Sequence, residues 1–265
     1  MKALIFGANG YFGKSISSTF KTIDIIPDTF TDITHFREVE NAIHYTRPDI
    51  LINAAALVDE DRAEMDIDYW ASLMKVNILG AINCLKACKL NNVKYAHIKT
   101  PFEVSPIDDY SLSKISASAF IDAPKYEDMT LKILPGWAYG NGGTSQSRQF
   151  DALLIRSIKE KIPLGITNNS ICCPVYMPDF CERLEKIILE NKFGLQTISA
   201  TESCTRFQFA ECVAKVLGKT MEELQWTENN KYPELAKRPP IWATYGDLPS
   251  FKERMPDFLK ANNLL

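Results

Sequence analysis

Patterns typical of metal sites and disulfide frameworks are missing from this sequence. The chain has three histidines and seven cysteines among 265 residues, and neither type recurs at a spacing that indicates zinc binding or disulfide pairing. Cys84 and Cys88 share one face of a predicted helix and are expected in the core. We therefore predict no metal site.

The chain also lacks a surplus of either charge and any long apolar run. Net charge is −3, with 46% hydrophobic and 24% charged residues, as in ordinary soluble globular proteins. No basic cluster indicates nucleic-acid binding, and no apolar segment is long enough to span a bilayer. The first apolar run, 3–6, is shorter than a secretory signal requires. We expect a cytoplasmic protein that binds neither nucleic acid nor membrane.

Short apolar runs alternate with helical patterns in the first half of the chain, which predicts βαβ units and a parallel sheet. The predicted strands are 3–6, 23–26 (ended by Pro27), 49–53, 95–98 and 129–134. The predicted helices begin at 14 and cover 36–45, 65–89 and 111–120. The helix at 36–45 ends before Arg47-Pro48, because a residue preceding proline is driven out of helical geometry.

The pattern changes after residue 140. A polar, glycine-rich loop at 141–147 precedes an amphipathic helix at 150–161, and 201–265 contains one clear helix, 206–217, followed by proline-rich loops. We expect an α/β fold: a Rossmann-type, doubly wound parallel sheet with a small C-terminal substrate-binding lid. The core would be 1–140 with a contribution from about 163–200. The lid would be 141–162 and 201–265, packed on the core as one unit.

A glycine-rich turn directly follows the first predicted strand and opens a helix, as dinucleotide binding requires. Gly7 allows the tight turn, Gly10 lets the backbone approach a pyrophosphate, and Gly13 permits close packing of helix and strand. The turn predicts an NAD(P) site. Asp24 and Asp28 are candidate partners for the ribose 2′-hydroxyl. No arginine follows the turn or the second strand, so we expect NADH to be slightly preferred over NADPH.

Tyr110 and Lys114 lie four positions apart in a predicted helix and therefore share one face. A cation near a phenol stabilises the phenolate and lowers the pKa of the phenol. The pair is thus a candidate proton donor or acceptor for a carbonyl–alcohol couple. An ordinary solvated helix pair is the alternative interpretation.

Several motifs in order resemble those of extended short-chain dehydrogenase/reductases, most closely the branch of dTDP-4-dehydrorhamnose reductases. The similarity covers most of the chain. Its motifs are the Gly7 turn, Asp32-Ile-Thr34, Arg47-Pro-Asp-Ile-Leu-Ile-Asn53-Ala-Ala-Ala56, Asp61-Arg-Ala-Glu64, Val76-Asn77, His97-Ile-Lys-Thr100, Gly136-Trp137-Ala-Tyr139 and Ala236-Lys-Arg238-Pro239.

The resemblance implies NAD(P)H-dependent reduction of the 4-keto group of a nucleoside-diphosphate-4-keto-6-deoxy sugar, for deoxysugar and surface-polysaccharide biosynthesis, by a homodimer. Thr100, Tyr110 and Lys114 would be catalytic. Trp137, Arg148 and Arg238 are candidate substrate contacts; for Trp137, core packing is the alternative. The implied cofactor contacts are Gly7, Asn9, Gly10, Tyr11, Phe12, Gly13, Asp32, Ile33, Asn53, Ala54, Ala55, Asn77, Tyr110 and Lys114. Asn77 could instead shape its helix.

Two departures from the family pattern leave alternatives open. Lys99 and Pro101 flank the presumed catalytic Thr100 in place of serine and aspartate, and only nine residues separate Thr100 from Tyr110. An epimerase or dehydratase on the same scaffold is a second hypothesis, although Pro101 argues against a dehydratase. A catalytically silent NAD(P)-binding regulatory subunit is a third.

Overall fold

The computed structural model describes residues 1–104, 106–140, 149–230, 239–241 and 243–265, and these form two compact units. Met1–Leu134 and Cys181–Gln196 belong to the first unit. The second contains Pro135–Phe180 and the described parts of 197–265. Of the predicted 163–200 contribution to the nucleotide-binding part, therefore, only the middle section falls in the first unit.

The strands follow the predicted positions in the first half of the chain and add several in the second. They are β1 (Lys2–Phe6), β2 (Asp24–Asp28), β3 (Ile50–Asn53), β4 (Lys94–Ile98), β5 (Thr130–Pro135), β6 (Trp137–Tyr139), β7 (Leu164–Ile166), β8 (Ile171–Cys172), β9 (Pro174–Tyr176), β10 (Gly194–Ile198), β11 (Cys204–Thr205) and β12 (Trp226–Glu228).

The helices connect these strands, and in the described residues none is long and apolar enough to cross a membrane. They are α1 (Tyr11–Thr19), α2 (Phe36–Thr46), α3 (Glu60–Met65), α4 (Ile67–Met74), α5 (Ala81–Leu90), α6 (Asp109–Ile121), α7 (Phe150–Glu160), α8 (Met177–Leu189), α9 (Arg206–Val216) and α10 (Phe251–Ala261). As predicted, α2 ends where Arg47 adopts left-handed backbone geometry.

A six-stranded sheet forms the centre of the described chain, in the order β10-β5-β4-β3-β1-β2. Its pairs β1–β2, β1–β3, β3–β4 and β4–β5 are parallel, which confirms the predicted doubly wound arrangement. From β1 the chain crosses to β2, which lies on one side of β1, and then returns to β3, which lies on the other side of β1. Ligands of such sheets bind at the carboxyl ends of the strands flanking this reversal, here β1 and β3.

Three predictions of element boundaries were wrong. Strand β2 continues through Pro27 to Asp28, because an edge strand tolerates a residue without an N–H group. The single helix expected at 65–89 is divided by a π-helical turn, Lys75–Gly80. Helix α10 replaces the loops expected after residue 217; it contains Pro256, but Ser250 caps it and four of its apolar side chains are buried.

The second unit is built on short strand pairs and an aromatic core. Strand β6 pairs with β9, β7 with β12 and β8 with β11, which places residues 163–180 with this unit. In the core, the Tyr139 ring lies 5.0 Å from that of Phe209 and 5.4 Å from that of Phe258. Such edge-on ring pairs add to the stability gained from burial.

A buried carboxylate joins α8 to the segment preceding β2 in the first unit. Glu185 Oε1 accepts hydrogen bonds from the backbone N–H groups of Lys21, Thr22 and Ile23, at 2.9, 2.7 and 3.0 Å. Glu185 is 9% exposed. Removing the carboxylate leaves three donors without this acceptor, which is costly where water has little access.

We expect Glu185→Ala to lower the free energy of unfolding by about 2–3 kcal/mol, measured by urea denaturation. Glu182→Ala is the matched control, since Glu182 lies one turn earlier in α8 and is 64% exposed in a surface pair with Lys21. Its effect should stay within about 0.5 kcal/mol. Equal effects of the two substitutions would show that the buried contacts add no stability.

Candidate active site

The glycine-rich turn after β1 is shaped by close contact with the segment after β3. Gly7 has a φ of +74°, and a Cβ there would lie 2.6 Å from the backbone N and Cα of Ala55. A Cβ on Gly13 would collide with the Gly7 carbonyl and come within 2.7 Å of Ala8 Cα. Both positions therefore require glycine for the protein's own packing.

Gly10 is different, because its backbone is extended, with φ −74°, and the protein leaves more room beside it than beside Gly7 or Gly13. A Cβ there would meet the Gly7 oxygen at 3.2 Å and the Ala54 oxygen only at 4.0 Å. Helix α1 begins immediately afterwards, so its positive dipole end lies at this turn. The absence of a side chain at Gly10 thus fits the close approach of a pyrophosphate rather than a packing need.

A buried hydrogen-bond network fixes the segment after β3. Ala54 N–H donates to the Phe6 carbonyl at 3.0 Å, and Ala55 N–H donates to Asn53 Oδ1 at 3.1 Å. The Asn53 amide donates to the Tyr95 hydroxyl at 3.3 Å. Asn53 and the two alanines, predicted to contact the cofactor, are therefore held in place next to the Gly7 turn.

Asn77 lies in the π-helical turn and is buried. Its Nδ2 donates to the Leu57 carbonyl and to Ser113 Oγ, each at 3.0 Å, and its Oδ1 accepts from Leu57 N–H at 2.9 Å. These bonds tie the segment after β3 to α6. The amide is thus engaged by the protein, which favours the structural interpretation of Asn77.

The acids near β2 differ in position. Asp24 is the first residue of β2, at the end of the strand away from the glycine turn, so it is excluded as a ribose partner. Asp28 ends the strand and accepts bonds from the N–H groups of Phe30 and Thr31, both at 2.9 Å. Asp32 lies four residues after the end of β2 and accepts a hydrogen bond from Thr34 N–H at 2.9 Å. Hydrogen bonding by Thr34 is the main cause that lowers the pKa of the Asp32 carboxyl. Ile33 is buried.

The three predicted catalytic residues converge at the carboxyl end of β4. Thr100 follows this strand, and its side chain lies close enough to the hydroxyl of Tyr110 to act on the pKa of that phenol. Lys114, one turn along α6 from Tyr110, donates from Nζ to the Ile98 carbonyl at 2.8 Å. A capping box formed by Asp108 and Ser111 sets the start of this helix. All three catalytic side chains are buried.

The electrostatics of the pair differ from the prediction. Burial raises the pKa of Tyr110 above its usual value, the charge of Glu60 raises it further, and the Thr100 hydrogen bond opposes both. The prediction that Lys114 lowers this pKa was therefore wrong in its net direction. Burial lowers the pKa of Lys114 to about 8, while Glu103 acts in the opposite sense. Desolvation disfavours the charged form of each group, so Tyr110 is a neutral phenol at neutral pH.

The segment after Thr100 contains a residue that the sequence analysis missed. Pro101–Val104 forms a 3₁₀ turn; Glu103 Oε1 accepts from Thr100 N–H at 3.2 Å, and Phe102 N–H approaches Thr100 Oγ1 at 3.5 Å. The pattern is that of a capping box with proline at its first position. Thr100-x-x-Glu103 was the signal available in the sequence.

Lys99, one of the departures from the family pattern, takes part in this structure. Its ammonium lies 3.0 Å from Glu103 Oε2 and 3.0 Å from Asp122 Oδ2. The Lys99 side chain is 9% exposed. The substituted lysine is thus neutralised by two carboxylates.

The predicted substrate contacts are described only in part. Trp137 is half-buried in the second unit, with its ring 5.2 Å from that of Phe209 and 5.7 Å from that of Phe150. It therefore packs in the aromatic core while keeping part of its surface accessible. Arg148 and Arg238 lie outside the described residues.

Comparisons with known proteins agree with this architecture. The model of the family described as the RmlD substrate binding domain matches residues 1–242. A dTDP-4-dehydrorhamnose reductase of Aggregatibacter actinomycetemcomitans is 25% identical over 90% of this chain and 88% of its own. The spore coat polysaccharide biosynthesis protein SpsK of Bacillus subtilis is 24% identical over 82% and 80%. The crystal structure of dTDP-4-dehydrorhamnose reductase from Bacillus anthracis, in complex with NADP, has a TM-score of 0.84, 24% identity and 98% coverage of both chains.

Substitutions at Gly10 and Gly13 test where the cofactor binds. We expect Gly10→Ala to lower the unfolding midpoint less than Gly13→Ala does but to raise the Kd for NAD(P)H at least about tenfold, because the methyl group occupies the path of the pyrophosphate. Gly13→Ala should instead lower the unfolding midpoint by about 5 °C or more through overpacking. Fluorescence titration and calorimetry measure the two effects. Unchanged cofactor affinity in Gly10→Ala would contradict this location of the site.

Proposed function

This chain belongs to the RmlD substrate-binding-domain family, and from that premise we propose that it catalyses NAD(P)H-dependent reduction of the 4-keto group of a nucleoside-diphosphate-4-keto-6-deoxy sugar. The product would enter deoxysugar and surface-polysaccharide biosynthesis. The observation that carries this proposal is the convergence of Thr100, Tyr110 and Lys114 at the same sheet edge as the glycine-lined crevice.

The buried phenol of Tyr110 is suited to act as an acid. When bound, a reduced nicotinamide would supply hydride to the keto carbon, and negative charge would develop on the keto oxygen. Tyr110 donates its hydroxyl proton to that oxygen. An alkoxide is a stronger base than a phenolate, so the transfer remains favourable even though the pKa of Tyr110 is raised. Thr100 stabilises the same developing charge through a hydrogen bond.

The protonated Lys114 has two roles in this proposal. Its position one turn from Tyr110 places a positive charge on the same helix face, which stabilises the phenolate left after proton transfer. It also holds the ribose hydroxyls of the cofactor as a charged donor. Both roles require the ammonium form, and the pKa of about 8 makes that form available at neutral pH.

The sugar-nucleotide substrate would contact Trp137, Arg148 and Arg238. The two arginines would pair with its diphosphate. We extend the proposal to a cytoplasmic homodimer, as the family resemblance implies; sedimentation velocity would test the dimer. The remaining cofactor contacts are those expected from the sequence, including the segment Asn9–Gly13 and Asn53–Ala55.

Tyr110→Phe should reduce kcat/KM for keto sugar nucleotides by about 10²-fold or more, while the Kd for NAD(P)H changes little. Tyr126→Phe is the matched control, a buried tyrosine of the same unit that is not in the site. The assay follows NAD(P)H absorbance with dTDP-, GDP-, UDP- and CDP-4-keto-6-deoxyhexoses.

The same assay separates the competing activities. Stoichiometric NAD(P)H consumption identifies a reductase, whereas an epimerase shows no net oxidation of the cofactor. Constant absorbance with every substrate, together with tight cofactor binding, would identify a silent subunit. Normal turnover by Tyr110→Phe would contradict the role of Tyr110 as proton donor.

We propose a slight preference for NADH, supported by the carboxylate of Asp28 at the end of β2. A carboxylate accepts a bond from a ribose 2′-hydroxyl and repels a 2′-phosphate. We expect kcat/KM to be higher with NADH than with NADPH. Asp28→Asn retains an acceptor for the turn at Phe30 and Thr31 but removes the charge, and should improve relative use of NADPH about fivefold. A wild-type enzyme that prefers NADPH would contradict this assignment.

A further inference from the structure

A charged cluster that the mechanism does not use lies next to Thr100 in the first unit. Glu103, Lys99 and Ser118 form it, and the side chains of Glu103 and Lys99 are only 7% and 9% exposed. Burying a charged pair costs desolvation energy. The hydrogen bonds and ion contacts that the pair makes must offset this cost.

Glu103 closes a ring of contacts around Thr100. Its Oε1 accepts from Thr100 N–H at 3.2 Å, and its own N–H donates to the Thr100 carbonyl at 3.1 Å. Phe102, between them in the turn, places its ring edge-on to that of Tyr110, with centroids 6.3 Å apart. The backbone of Thr100 is thus fixed from both sides, and the turn that fixes it also packs against Tyr110.

The second oxygen of Glu103 joins this turn to α6. Oε2 accepts from Ser118 Oγ at 2.7 Å and lies 3.0 Å from the Lys99 ammonium. Lys99 in turn contacts Asp122 at the end of α6, at 3.0 Å. Since α6 also carries Tyr110 and Lys114, the cluster links the strand end that bears Thr100 to the helix that bears the other two catalytic residues.

The charge of Glu103 also acts on Lys114. It raises the pKa of Lys114, against burial and against the like charge of Lys99. Glu103 also raises the pKa of Tyr110, as do Glu60 of α3, whose effect is larger, and Asp108 before α6. His97 on β4 is buried, and its pKa is held well below the usual value, so that it is neutral.

We propose that Glu103 is a positioning residue for the reaction, which fixes the backbone of Thr100 beside Tyr110 and ties it to α6. Its charge also favours the ammonium form of Lys114. The inference rests on the proposed function, since the reaction supplies its kinetic readout.

The test is the Glu103→Gln variant, assayed with a keto sugar nucleotide and NAD(P)H across pH 6–10. Glutamine cannot accept from Thr100 N–H and from both Ser118 and Lys99. We expect kcat to fall at least about tenfold, because small misplacement of a catalytic group is costly, while KM for the sugar changes less than about twofold. The fall in rate with deprotonation of Lys114 should begin about one pH unit lower.

Two further variants separate positioning from general destabilisation. Asp122→Asn removes the other carboxylate that contacts Lys99 without contacting Thr100, and should leave kcat within about twofold of wild type. Lys99→Met/Glu103→Gln removes the buried charge pair and serves if the single variant does not fold. Compared with Glu103→Gln, the double variant should regain thermal stability and most of the wild-type pH profile, because the charges of Lys99 and Glu103 act oppositely on the pKa of Lys114. Its kcat should stay low.

The outcomes keep this inference distinct from the proposed function. Recovery of kcat in the double variant, or a wild-type kcat and pH profile in Glu103→Gln, would overturn the role of Glu103 while the reductase assignment stands. If wild-type protein reduces no keto sugar nucleotide, the proposed function fails. The pH dependence of NAD(P)H binding then still tests Glu103: weakening at a lower pH in Glu103→Gln supports it, and an unchanged dependence contradicts it.

Discussion

The burial of one ammonium group, that of Lys114, constrains the arrangement of everything around it. An amine this deep in a protein loses most of its hydration, which is unfavourable unless other groups replace the water. The Ile98 carbonyl provides one hydrogen bond at 2.8 Å, and the charge of Glu103 favours the protonated state. Helix α6 packs against the π-helical turn through small buried residues, among them Ser113, whose hydroxyl accepts a hydrogen bond from Asn77.

The same burial acts on the protonation state of Tyr110. The pKa of Tyr110 is raised, so the free protein holds a neutral phenol that is ready to give up a proton. Oxidation of an alcohol would need the phenolate as a base, and burial together with the neighbouring charge of Glu60 disfavours that form. The proposed reduction of a ketone needs this neutral phenol as its proton donor.

The parts of this fold that depend on local sequence were predictable. The strands around the sheet centre follow from apolar runs, and the Gly7 turn follows from spacing, because Gly7 and Gly13 each face a backbone that admits no side chain. The order Thr100, Tyr110, Lys114 predicted a group of residues that the structure brings together at the end of β4. Helix α10 was missed because Pro256 signals a loop when read locally, whereas burial of Phe251 and Phe258 decides the outcome.

Interactions between distant residues could not be predicted in the same way. The pKa of Tyr110 depends on burial and on Glu60, which lies fifty positions earlier. Lys99 looked like a disruptive substitution, yet its charge is matched by Glu103 and Asp122, and the latter is 23 residues away. The division of the long helix at Asn77 likewise depends on a contact with Leu57. The order of residues along the chain does not by itself reveal these contacts.

Pro27 has a consequence for how this protein meets other chains. It lies in β2, which ends the strand order on one side of the central sheet. An open strand normally offers a row of backbone donors to any extended segment that encounters it, and this is a common route to aggregation. A proline interrupts that row with a ring in place of a hydrogen. The exposed margin of the sheet is thereby a poor template for intermolecular β-pairing.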